Sequence, residues 1–167
     1  LTRSTQTIVN QVRALKDMVD AFRQYARMPE PSLQEIELNA LVREVLMLYE
    51  SLAGWIRVEL APNLPRVVGD PAQLRQVIHN LLQNAQDALE HLAARGVSPA
   101  IEVRTELAGD RVRLAVSDNG GGFPEELMAR IFEPYVTTKP RGTGLGLAIV
   151  KKIIDEHHGA VTIENRP

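Results

Sequence analysis

Two closely spaced prolines divide this chain. Residues 1–28 contain neither glycine nor proline; then comes Met28-Pro29-Glu30-Pro31. Pro29 pushes the residue before it out of the helical region, and Pro31 prevents a restart. Ahead of the break, Leu1, Thr5, Ile8, Val12, Leu15, Val19, Phe22 and Ala26 recur at alternating steps of four and three, which is a heptad seam. About 27 helical residues would extend about 40 Å. So narrow and regular a seam predicts a coiled-coil or bundle helix rather than an amphipathic helix lying on a globular core. The chain therefore reads as one long helix, residues 1–30, followed by a domain over residues 31–167.

The domain must close its core with aliphatic side chains, because aromatics are only 4% of the 167 residues. A hydrophobic fraction of 44% with 24% charged residues is globular and excludes wholesale disorder. The net charge of -2 gives no general reason to bind nucleic acid or an anionic membrane. Cysteine is absent, which removes disulfides, thiolate metal sites and cysteine nucleophiles. No apolar run approaches the ~20 residues that span a bilayer, so a soluble, intracellular domain is expected.

Beyond Pro31 the signals alternate. Asn39 reads as the N-cap of a helix from Ala40 to Leu52, and Ile56–Leu60 as a short strand. Asp70-Pro71 reads as a cap followed by proline at the first helical position, opening a helix to about Arg95. Strands at 100–107 and 111–118 form a hairpin around Gly109. A brief helix near Pro124, a Gly/Pro/Thr-rich loop over 134–143, a helix to His158 and a strand from Ala160 complete the pattern. Helices and hairpin strands mix without strict alternation, which predicts an α+β sandwich rather than a doubly wound parallel sheet.

Three clusters carry chemistry. On the Asp70 helix, Leu74, Val77, Ile78, Leu81, Ala85, Ala88 and Leu89 form an apolar arc, and Asn80, Asn84 and Asp87 stack beside it. These polar residues are either a solvated face or a helix edge whose amide oxygens hold a hard cation such as Mg²⁺ together with water and phosphate. In the second cluster, period two puts Asp118 on the same strand face as Val112, Leu114 and Val116, with Gly120, Gly121 and Gly122 after it. A carboxylate at the end of a buried face needs a donor. It either caps a turn or accepts from a flat, amino-bearing base. The third cluster, Lys139-Pro140-Arg141-Gly142-Thr143-Gly144-Leu145-Gly146-Leu147, runs into the last helix. Exposed backbone N–H groups at a helix start attract phosphate, with Lys139 and Arg141 adding charge on the approach. The glycine spacing fits neither the dinucleotide fingerprint nor a Gly-Lys-Ser/Thr loop.

The segments Asn80-Leu-Leu-x-Asn84-Ala, Asp118-x-Gly120-x-Gly122, Phe132-Glu133-Pro134-Tyr135 and Gly142-Thr-Gly-Leu-Gly146-Leu follow one another in that order. Together they resemble the N, G1, F and G2 boxes of the ATP-binding domain of two-component sensor histidine kinases, from about Leu38 onward. Phe22–Met28 and Leu38-Asn39-Ala40-Leu41 are similar more narrowly to nitrogen-regulation sensor kinases of the NtrY type. The resemblance implies a Bergerat-type two-layer sandwich, a mixed sheet covered by helices, with ATP between the helical layer and a lid. It implies Asn84 as the Mg²⁺ ligand with Asn80 assisting, and Asp118 as acceptor of the adenine amino group beside Gly120 and Gly122. Gly142, Thr143, Gly144, Leu145 and Gly146 would surround the phosphates, with Lys139 and Arg141 in the lid, Phe132 anchoring it and Asp87 also among the nucleotide-binding residues. The partners implied are the kinase's own H-box hairpin, a response-regulator receiver domain and, in the full-length protein, a second copy. Nucleic acid is not among them, nor is membrane contact by this chain. The chain would be cytoplasmic, within a protein anchored in a bacterial inner membrane.

The four histidines depart from the kinase pattern. His79, His91, His157 and His158 all lack the His-Glu-x-x-Asn/Thr-Pro context of a phosphoacceptor and are expected to be structural or exposed. The helix over 1–28 is therefore expected to be the second helix of the dimerisation hairpin, with the first helix and its H-box outside the chain and the last strand truncated at Pro167. Two other functions suit the same boxes. One is a stand-alone ATPase, although Asn80 stands where such enzymes place a Glu base and an amide cannot remove a proton. The other is a nucleotide-gated interaction module without chemistry.

Overall fold

The proline break falls where the pattern puts it. In the computed structural model, which describes residues 2–137 and 144–165, α1 runs Thr2–Ala26 and stops just short of Met28-Pro29. Its seam faces solvent, with Ile8, Val12 and Leu15 exposed by 61%, 60% and 62%. Contact with the rest of the chain is made at its C-terminal end, where Ala21, Tyr25 and Met28 pack on Val77, Leu145, Ile149, Val150 and Ile153.

The remainder is an α+β sandwich. Among the described residues, β2 (Ile56–Leu60), β4 (Ile101–Ala108) and β5 (Arg111–Asp118) form a mixed sheet in the order β2-β4-β5. β2 is parallel to β4, and β4 is antiparallel to β5 with Ile101 opposite Asp118. A separate antiparallel pair joins β1 (Gln34–Ile36) to β3 (Val67–Gly69). These three-residue strands were invisible as alternation in the sequence. Period two buries Ile101, Val103 and Thr105 on one face of β4. Against that face α2 (Leu38–Leu46) and α3 (Pro71–Ala94) supply Val42, Val45, Ile78, Leu82 and Leu89, each 3% exposed or less. Leu82, outside the arc read from sequence, is fully buried. A second cluster lies between α3 and α5 (Gly146–Glu156), and α4 (Glu125–Met128) is a single turn.

Asp70 caps α3 as its sequence context requires: Oδ1 accepts from the Gln73 N–H at 3.1 Å. Its other oxygen accepts from the Ser32 N–H at 2.9 Å, which ties the linker after α1 to the start of α3. Desolvation pushes the Asp70 carboxyl upward, but backbone N–H groups of Ser32, Gln73 and Ala72, with His157 nearby, outweigh it and hold the pKa below its ordinary value.

Three expectations are corrected. Asn39 is not a cap: α2 begins at Leu38, and Asn39 is only 6% exposed. Its Nδ2 donates to the Ala61 carbonyl and its Oδ1 accepts from Thr105 Oγ1, each at 2.8 Å. Thr105 Oγ1 accepts in turn from the Ala61 N–H at 3.0 Å, closing a buried ring of three bonds. That tertiary ring satisfies Asn39 better than an exposed cap. Next, α2 does not continue regularly to Leu52; residues Met47–Leu52 tighten into a 3-10 stretch bent at Tyr49 (φ -110°, ψ 26°), whose hydroxyl is bonded to His79. Finally, residues 160–165 form no strand. That segment is tied by a side chain rather than a ladder, Asn165 donating to the Phe123 carbonyl and accepting from its N–H at 2.6 and 2.9 Å. Among the described residues no helix is long and apolar enough to cross a membrane.

Candidate functional site

One edge of α3 gathers the chemistry. At 100° per residue Gln76, Asn80, Gln83, Asn84 and Asp87 share a face, and two distant segments come to it. At Asn80, the side-chain Nδ2 donates to the carbonyl of Gly146, the first residue of α5, at 3.2 Å. At Ala88, the loop after β5 presses so close that a Cβ on Gly120 would lie 2.8 Å from the Ala88 carbonyl oxygen. Only glycine fits there. Asn80 and Ala88 are eight residues, or about 12 Å, apart along the helix, with Asn84 midway. The loop at Gly120 and the start of α5 at Gly146, far apart in sequence, thus meet one edge of α3.

Each end of that edge has its own character. Asp118 folds over its loop, Oδ1 accepting from the Gly120 N–H at 2.8 Å; Oδ2 accepts no hydrogen bond from the described residues and can take one from a ligand. Gly122 adopts φ +73° beside Asn165. At the other end, α5 begins behind a leucine, Leu145, whose aliphatic side chain has no acceptor with which to cap it. The first N–H groups of a helix lack internal partners and carry its positive pole, which suits an anion. Gly144, at φ +71°, is wedged against Tyr135, where a Cβ would come within 2.4 Å of backbone; the Tyr135 N–H donates to the Gly144 carbonyl at 2.8 Å. Phe132 is half-buried just before this contact. Lys139, Arg141, Gly142 and Thr143 lie outside the described residues.

Asp87 accepts from Gln83 Nε2 at 3.1 Å on the exposed side. His79 is structural: its Nδ1 is 2.8 Å from the Tyr49 hydroxyl, and burial, with the Asp87 charge second, pushes that phenol up to about 12. His157 uses both ring nitrogens, donating from Nδ1 to the Ile153 carbonyl at 2.7 Å and accepting through Nε2 from the Asp70 N–H at 3.0 Å. His158 is exposed, and the His91 side chain lies outside the described set. The sequence reading passed over Gln76, whose Nε2 donates to Asn80 Oδ1 at 2.7 Å; its place one turn before Asn80 was the available signal. Among the described residues no three His, Asp or Glu side chains gather around a common point. The amide oxygen of Asn84 suits a hard cation that brings water and phosphate oxygens as its other ligands.

The family model for histidine kinase-, DNA gyrase B- and HSP90-like ATPases matches residues 69–167, the stretch that contains every part of this site. The chain belongs to that family. Within this ATPase family it sides with the kinases. It is 37% identical to nitrogen regulation protein NtrY of Azorhizobium caulinodans over 169 residues, which is 98% of this chain but only 21% of NtrY. The chain thus spans about a fifth of that relative's length. Among solved structures, the catalytic domain of histidine kinase ThkA is 38% identical with a TM-score of 0.68, covering 81% of this chain and 89% of that one. The same kinase in complex with response regulator protein TrrA matches 96% of this chain and 46% of its own, at 33% identity and a TM-score of 0.73. Full-length ShkA in complex with AMPPNP is 30% identical with a TM-score of 0.76, covering 98% of this chain and 36% of that one. The fold is that of a sensor histidine kinase catalytic domain, preceded here by a long helix.

Proposed function

We infer that this chain binds Mg²⁺-ATP along the α3 edge and donates the γ-phosphate to a histidine on a helical hairpin, for onward transfer to a response-regulator aspartate. The observation that carries this is the convergence on α3 of Asp118–Gly120 at Ala88 and Gly146 at Asn80. Such an edge has an acceptor and a close-approach glycine at one end for a base, and a helix start at the other for phosphates. When bound, Mg²⁺-ATP supplies the transferable phosphoryl group. The chain's own residues hold and orient it: Asp118 Oδ2 accepts from the adenine amino group, Gly120 and Gly122 shape the pocket, and the α5 N–H groups face the phosphates. Asn84 offers the metal an amide oxygen with Asn80 beside it. Gly142, Thr143, Gly144 and Leu145 approach the phosphates, Lys139 and Arg141 add charge, and Phe132 anchors their loop. Positioning and electrostatics are what phosphoryl transfer requires of a protein.

Residues 1–30 serve in this reading as the second helix of the hairpin, and the nucleotide domain as residues 31–167. The exposed seam of α1 supports pairing with the other hairpin helix and with a second copy in the whole protein. The similarity to nitrogen regulation protein NtrY supports a nitrogen-responsive kinase, and the ThkA complex supports a receiver-domain partner; in this reading the whole protein is held at a bacterial inner membrane. Asp118→Asn, which replaces an acceptor by a mixed donor–acceptor amide, should weaken ATP binding by on the order of 1–3 kcal/mol in titration calorimetry. Incubated alone with γ-labelled ATP, the 167-residue chain should gain no acid-labile phosphate, and an added H-box hairpin should become labelled. Unchanged affinity in a folded Asp118→Asn variant would overturn the adenine assignment, and an unlabelled hairpin would overturn the transfer.

A further inference from the structure

We propose that Gln76 is a positioning residue for this site: it fixes which way round the Asn80 amide sits, and through Asn80 it holds the first turn of α5 against α3. One atom in this contact cannot be reversed. The Gly146 carbonyl accepts only, so the Asn80 atom facing it at 3.2 Å must be the NH₂ group. The Asn80 oxygen therefore points to Gln76, which must answer with a donor, and its Nε2 lies 2.7 Å away. Polarity runs in one direction along the chain Gln76 NH₂, Asn80 C=O, Asn80 NH₂, Gly146 C=O. It leaves Asn80 Oδ1 one lone pair and Nδ2 one hydrogen.

The same pair of residue types supplies an internal comparison. Gln6 Nε2 donates to Asn10 Oδ1 at 3.1 Å, also one turn apart, but on the exposed surface of α1. A pair of that kind is worth only a few tenths of a kcal/mol to its helix. The pair on α3 is shorter, partly buried, and reaches 66 residues further along the chain to the start of α5. Its work is between helices. Were the Asn80 amide to turn over, two carbonyl oxygens would face each other at the Gly146 contact, and α5 would have to move away. The N–H groups that begin α5 would then shift away from the α3 edge at Asn80.

The nucleotide arm of the test rests on the reading of this edge as an ATP site; the exchange arm does not. Gln76→Glu keeps the shape but offers only acceptors when ionised, so it favours the reversed Asn80 amide; once protonated, the introduced carboxyl can donate again. In the full chain at about pH 8, Gln76→Glu and Gln76→Leu should each bind Mg²⁺-ATP about tenfold more weakly than the parent. Toward about pH 4.5, near an ordinary glutamate pKa, Gln76→Glu should recover relative to the parent at the same pH while Gln76→Leu should not. Without nucleotide, hydrogen exchange at Ile149 and Val150 should quicken in both variants at about pH 8, with recovery on acidification for Gln76→Glu alone. Gln6→Glu should change neither readout. A deficit in Gln76→Glu that is the same at both pH values, or α5 exchange equal to the parent's, overturns the proposal. A parent chain that binds no nucleotide overturns the ATP reading instead, and the exchange arm still decides the role of Gln76.

Discussion

His158 holds a left-handed conformation, φ 59°, at the turn that ends α5. The Gly159 N–H reaches back to the Ile154 carbonyl at 2.9 Å, so the helix ends in the form that glycine serves best. A residue with a Cβ loses about 1 kcal/mol or more there, part of which glycine returns through the entropy of the unfolded chain. His158→Gly should therefore stabilise the protein by about 0.5–1 kcal/mol, seen as a higher urea midpoint at unchanged slope. The Arg111 contact to the His158 carbonyl involves only backbone on that side and survives the change. At this scale the sequence was informative about residue type and silent about orientation. Asn80, Asn84 and Asp118 stand out by spacing and by the glycines nearby. That Asn80 turns its oxygen toward Gln76 depends on a carbonyl 66 residues away, which no local pattern encodes.

Between elements, the ring of Asn39, Thr105 and the Ala61 backbone joins α2 to the end of β2 and the middle of β4. Thr105 is 2% exposed, so its hydroxyl cannot be replaced by water without rearrangement. Thr105→Val should orphan both the Ala61 N–H and the Asn39 oxygen, costing about 2–3 kcal/mol by chemical denaturation, while Thr105→Ser should cost much less. Elements were legible wherever a local rule determines them. The Asp70-Pro71 start of α3, the β4–β5 hairpin and the glycine-led start of α5 all depend on neighbours within a few residues. Asn39 was misplaced because a tertiary ring overrode its capping preference. The β1–β3 pair was missed because three residues are too few to display alternation, and the strand expected at Ala160 finds no ladder neighbour among the described residues.

Across the whole molecule, the nucleotide domain grips the helix and linker ahead of it largely by their backbone. Gln73 Nε2 donates to the Pro29 carbonyl, Lys152 Nζ to the Tyr25 carbonyl, and Ser32 donates its N–H to Asp70, each at 2.9 Å. Asp70 gives this grip a pH dependence. Its folded pKa lies below the ordinary 3.8, so its contribution is complete above that value and is lost as pH falls through the lower folded value. Asp70→Asn, which retains a cap but not the charge, should be less stable than the parent at about pH 6 by on the order of 1 kcal/mol. Urea midpoints of the two should converge as the pH drops below 3.8. The exposed length of α1 adds a mechanical consequence. Anchored at Ala21, Tyr25 and Met28, α1 projects as a rod. From Ala21 to Thr2 the lever arm is about 28 Å. A 10° rocking of Tyr25 against α5 would therefore sweep the far tip through roughly 5 Å, close to the rise of one helical turn. A repacking of about 1 Å across the Ala21–Tyr25 contact is thus geared up, at Thr2, to a stroke as long as one step of a heptad seam.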